Sequence, residues 1–95
     1  MRLRFYLDRD TGQPHIYNHS VGESEIEEVL MRPGEDRPGA EGSRIAIGRT
    51  SAGRYLRVVY VPGQQPDSNF VITAYELKGK PLVAYKRRLR RRGTR

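Results

Sequence analysis

The chain has 95 residues, no cysteine and a formal net charge of +7. A domain of that size buries a small core, and without cysteine it has neither a disulfide framework nor thiolate chemistry. No stretch approaches the roughly 20 consecutive apolar residues that span a bilayer, and the opening MRLRFYLDRD holds no apolar run of signal-peptide length; the expectation is a cytoplasmic protein with no membrane partner.

The charge is unevenly placed. Residues 1–77 carry nine basic and eleven acidic side chains, a net of −2, whereas residues 78–95 carry nine basic and no acidic ones, a net of +9. A segment so dense in cations suits a polyanion such as nucleic acid, or an acidic protein surface. The plain alternative is a solvated chain end.

In chain order, Arg2–Leu7 reads as a short strand with Leu3, Phe5 and Leu7 on one face and Arg2, Arg4 and Tyr6 on the other. Asp8–Gly12 is a turn by composition. Gln13–Ser20 is too short to stand alone as a helix, although one helical turn anchored by Ile16 fits. Ser20 followed by Glu23 has the spacing of a capping box. Val21, Ile26, Val29 and Leu30 then recur at helical spacing, which predicts an amphipathic helix over about Gly22–Arg32, closed by Pro33-Gly34.

Pro33–Ser43, with two prolines and three glycines, reads as loop. Arg44–Thr50 is the next strand, and Ser51-Ala52-Gly53 a tight hairpin turn with glycine available for a positive φ. Arg54–Val61 and Asn69–Leu77 are rich in β-branched and aromatic residues and flank a polar loop, so they read as two antiparallel strands. Arg54–Val61 is apolar on both faces except at Arg57, the mark of a central strand. Pro81 suits a first helical position. Leu82, Tyr85 and Leu89 make a narrow apolar stripe, which predicts a second helix from Pro81 to about Arg91.

The predicted fold class is α+β. A single antiparallel sheet of about four strands carries helices packed on one face, in one domain over 1–92 with a basic tail end at 93–95.

Arg57 is a guanidinium on an otherwise apolar strand face, suited to bracing a phosphate through paired hydrogen bonds. The plain reading of Arg57 is an arginine lying across the surface or paired with Glu76. His15 and His19 are of the one side-chain type that ordinarily ionises near neutrality, so either suits general acid or base work; a structural role near the helix start competes. Two histidines four apart also resemble metal ligands, but no glutamate accompanies them in the HExxH manner. Neither a metal nor another cofactor is expected. Tyr75 and Tyr55 suit stacking on a base or donation to a phosphate, against the commoner role of packing with a wet hydroxyl. Lys86, Arg87, Arg88, Arg90, Arg91 and Arg92 form the candidate nucleic-acid-binding set. No glycine-rich phosphate loop or nucleophilic serine motif is present.

Three stretches together resemble the BrnT-like group of the RelE/ParE superfamily, the toxins of bacterial type II toxin–antitoxin pairs. Asn18-His19-Ser20-Val21 followed by Glu25-Ile26-Glu27-Glu28-Val29 is similar to that group's His-Gly-[Ile/Val] lead into an acidic helix. Gly53–Tyr60, GRYLRVVY, resembles its central strand, and Phe70–Tyr75, FVITAY, its following strand. The resemblance spans roughly His15 to Arg92 and rests on the order and spacing of these stretches. It implies a RelE-like sheet-and-helix fold and metal-independent endoribonuclease activity on mRNA, often at the ribosome. It also implies a cognate antitoxin protein as partner. Where the toxins often have arginine at the end of the last strand, this chain has Tyr75, which leaves phosphate stabilisation to Arg57 or the C-terminal cations. A non-catalytic RNA- or ribosome-binding module, and a protein-interaction module whose tail docks on an acidic surface, are the competing expectations.

Overall fold

The computed structural model describes residues 1–93; of the predicted tail end at 93–95, Thr94 and Arg95 lie outside the described residues. The strands are β1 (Arg2–Phe5), β2 (Glu35–Pro38), β3 (Arg44–Arg49), β4 (Tyr55–Pro62) and β5 (Ser68–Glu76). The helices are α1 (Glu23–Met31) and α2 (Gly79–Gly93), with short 3-10 turns at His15–His19 and Ala40–Gly42.

The strands form one sheet in the order β1-β5-β4-β3-β2. Strands β2 to β5 pair antiparallel, and β1 joins β5 in parallel. The α+β class therefore holds, but the sheet is mixed and five-stranded rather than antiparallel with about four strands. The strand that composition hides is β2, read from sequence as loop. It is a four-residue edge strand, Glu-Asp-Arg-Pro, whose residues pair with β3. Charge and a terminal proline are ordinary on an edge, where one side of the backbone needs no partner.

The second correction concerns the helices, which cover both faces. On the inner face, Leu56, Val58 and Tyr60 of β4 join Val71 and Ala74 of β5 and Ala46 of β3. Ile26 and Val29 of α1, Val21 before it and Ile16 of the 3-10 turn close over them. On the outer face, Tyr85 and Leu82 of α2 pack on Ile45, Ile47, Tyr55 and Leu77. Helix α2 thus covers the β3 side of the outer face. β4 has apolar residues on both faces because both faces receive a helix.

Local details fix these placements. The N-cap of α1 is Gly22, whose N–H donates to the Glu25 carboxylate at 3.1 Å. Ser20, expected to cap this helix, instead ends the 3-10 turn with a φ of 57°. Gly53 takes the expected positive φ, 91°, in the β3–β4 hairpin. Gly34 lies so close to α2 that a Cβ there would overlap the Tyr85 hydroxyl. In β5 an extra residue, Ile72, sits between the pairs Tyr60–Val71 and Val59–Thr73. That bulge lets Val71 and Ala74 both face the inner core.

Candidate functional site

Strand β1 pairs with β5 only as far as Phe5 and Val71. Beyond that point the edge of β5 is free of strand partners, and the 3-10 turn His15–His19 lies against it. Ile16 pins the turn to the inner core. The Tyr6 N–H donates to the Val71 carbonyl at 2.9 Å, and the His15 N–H to the Tyr6 carbonyl at 2.9 Å, so the backbone ties the turn to the sheet.

This arrangement lines up four rings from three segments: Tyr6 after β1, the two histidines of the 3-10 turn, and Tyr75 of β5. Tyr6 and His15 lie 6.2 Å apart between centroids, His15 and His19 5.3 Å, and His19 and Tyr75 6.0 Å. Tyr75 is 36% exposed, at the rim of the outer face. Its cross-strand partner is Arg57, and directly opposed residues of an antiparallel pair have adjacent side chains. Arg57, Tyr75, His19 and His15, picked from sequence as four separate candidates, therefore form one continuous surface.

Arg57 is partly buried, and its Nε is shielded from solvent with no hydrogen-bond partner among the described residues. A shielded guanidinium N–H without an acceptor is costly unless something supplies one. The alternative pairing with Glu76 is not made. Glu76 faces the other side of β5, 3.5 Å from Arg54 and 4.0 Å from Lys78.

His15 is braced by residues that the sequence reading passed over. Its Nδ1 lies 3.6 Å from an Asp8 carboxylate oxygen, and the Asn18 amide donates to that same oxygen at 2.7 Å. A hydrogen bond from the Asp10 N–H, then Asn18 and His15, holds the Asp8 carboxyl below its ordinary range. Asp8 thus stays an anion beside the imidazole. The only sequence signal for this was the composition of a turn, where Asp and Asn accept and donate such local bonds.

The six candidate cations, all on α2, divide by direction. Arg88 donates through Nε and a terminal nitrogen to both Glu35 oxygens, at 2.7 and 2.9 Å, and Arg92 donates to the Gly34 carbonyl. Both face β2 and clasp the helix to the sheet edge. Lys86 lies on the opposite flank, with its Nζ 5.0 Å from the Tyr55 ring centroid, toward the open half of the outer face. Arg87, Arg90 and Arg91 are exposed.

Among the described residues no group of three or more His, Asp or Glu is placed to hold a metal ion, and no helix is long and apolar enough to cross a membrane. Comparison with protein-family models, with curated proteins and with solved structures finds no match to this chain.

Proposed function

We propose that this protein is a metal-independent endoribonuclease acting on single-stranded mRNA, in the manner of the type II toxins that its sequence resembles, and that an antitoxin protein neutralises it. The observation that carries the reading is the succession of neighbours from the partly buried Arg57 through Tyr75 and His19 to His15. In the proposed reaction His19 takes the proton from a ribose 2′-OH. The freed O2′ attacks the adjacent phosphorus, and the bond from phosphorus to the 5′ oxygen breaks. His15 gives that leaving oxygen a proton, so the products are a 2′,3′-cyclic phosphate and a 5′-OH. Arg57, whose shielded Nε lacks an acceptor, and the Tyr75 hydroxyl donate to the non-bridging oxygens as charge builds in the transition state. Asp8 positions His15 rather than touching substrate.

A second reading is favoured by one feature. Tyr75 stands where the toxins often carry arginine, which fits a surface that binds RNA through stacking without cutting it. Expression in a bacterial host separates the two. The endonuclease reading expects growth arrest by the wild type and none by Arg57→Ala. Harmless expression of both forms, with RNA bound but intact in vitro, would establish the binding module instead.

A further inference from the structure

The outer face continues past the rim. Register and alternation place Arg57, Val59 and Val61 of β4 on it together with Tyr75, Thr73 and Phe70 of β5 and Arg2 and Arg4 of β1. At its far end the β4–β5 loop and β1 enclose a hollow of about 660 Å³, lined among others by Arg2, Arg4, Gln64, Gln65, Ser68 and Phe70. The Arg4 guanidinium carbon lies 5.7 Å from the Phe70 ring centroid, and Arg2 donates to the Gln65 side-chain oxygen at 2.6 Å. Helix α2 contributes no residue to the lining.

We propose that this hollow is a subsite for one or two nucleotides of the RNA strand that reaches the His19–Tyr75 rim; the proposal rests on RNA as the substrate. Its chemistry is what an unpaired nucleotide needs. Arg4 and Phe70 make a stacking platform, since bases stack on aromatic rings and on guanidinium planes alike. Arg2 neutralises a phosphate, and its bond to Gln65 holds the guanidinium in place. The Gln64 amide offers a donor and an acceptor to a base edge, and the Gln65 amide, whose oxygen accepts from Arg2, offers its N–H donors. A duplex does not expose base faces in this way, so the site selects single strands. Phe70 and Tyr75 are five residues apart on one strand, about 16 Å at the usual rise. The strand would thus be held a few nucleotides from the bond to be cut, across an outer face open along β4 and β5.

The test is binding of a labelled single-stranded 2′-O-methyl oligonucleotide, which cannot be cleaved, to the full chain. The double variant Arg2→Ala/Arg4→Ala and the variant Phe70→Leu are compared with Arg37→Ala, a charge control on the β2 edge. Loss of the stacking platform and two cations is expected to weaken binding at least about tenfold, with Arg37→Ala close to wild type. In a titration of the wild-type protein, the amide resonances of Gln64, Gln65 and Ser68 are expected to shift. If the double variant binds as Arg37→Ala does and those resonances stay put, the subsite is overturned, whether or not unmodified RNA is cleaved. If binding depends on Arg2 and Arg4 while unmodified RNA is never cut, the subsite stands and the endonuclease reading falls.

Discussion

The two faces of the sheet are built from the same strands but are covered to different extents. The inner face is sealed, with Leu56, Val58, Val71 and Ala74 fully shielded under α1 and the 3-10 turn. The outer face is covered only on its β3 side, where α2 rests on Tyr85 and Leu82 and is clasped by Glu35. The uncovered side carries Arg57, Tyr75, Phe70, Arg2 and Arg4. A sealed layer and a half-open one are thus separated by the thickness of one sheet. The inner layer holds the fold, which leaves the outer layer free to keep polar groups that burial would penalise. The Arg57 Nε is the exception, since it is shielded on this face and has no acceptor among the described residues.

Substitutions on each side sharpen the contrast. Leu56→Ala, in the sealed layer, is expected to cost about 3–5 kcal/mol in urea unfolding, enough to threaten the whole fold of a marginally stable small domain. Tyr85→Ala removes the main anchor of α2, and a loss of about 3 kcal/mol fits its near-complete burial. That loss is expected to fall on the helix first: hydrogen exchange should rise in Gly79–Gly93 while amides of β4 and β5 stay protected. Equal loss of protection throughout would show that the outer layer is as central to the fold as the inner one.

The smallest effect is expected at the clasp. Arg88 chiefly, with Arg37 and Arg92 adding their charge, holds the Glu35 carboxyl below its ordinary range. A depressed carboxyl stabilises the folded state fully above its unfolded pKa, and that contribution is lost as pH falls through the lower folded value. Glu35→Gln is therefore expected to cost about 1 kcal/mol at neutral pH, since the Arg88 side chain is 38% exposed and its pairing partly screened. The gap between variant and wild type should close in acid. A gap that persists unchanged at low pH would place the effect in packing rather than in charge.

How much of this was legible in the sequence depended on whether the signal was local. Alternation in Arg54–Val61 and Asn69–Leu77 gave the central antiparallel pair within a residue or so, and the Ile26/Val29 stripe gave α1. Ile16 was readable as the anchor of a single turn. Strand β2 was not, because its four residues gain their order from β3 across the sheet, through pairs such as Asp36 with Ala46, rather than from apolar periodicity. The parallel course of β1 leaves no periodic mark either. The stripe Leu82/Tyr85/Leu89 said that α2 docks but not where. The clue lay in β4, whose second apolar face also needed a cover. Each candidate residue is legible singly, by the chemistry of its side chain. Their meeting was illegible, because it depends on β1 stopping at Phe5 and leaving the β5 edge to the histidine turn. The Ser20–Glu23 spacing misled because a carboxylate two residues on, Glu25, reached Gly22 instead.

Whether Arg57, Tyr75, His19 and His15 act together on RNA is decided by the ends of the fragments. The most direct test incubates single-stranded RNA with purified wild type, His19→Ala and Arg57→Ala in excess EDTA and analyses the new ends. Fragments ending in 2′,3′-cyclic phosphate and 5′-OH are expected from the wild type, with a rate at least about 100-fold lower without the His19 imidazole. Intact RNA with all three proteins, or equal cleavage by wild type and His19→Ala, would contradict the endonuclease reading.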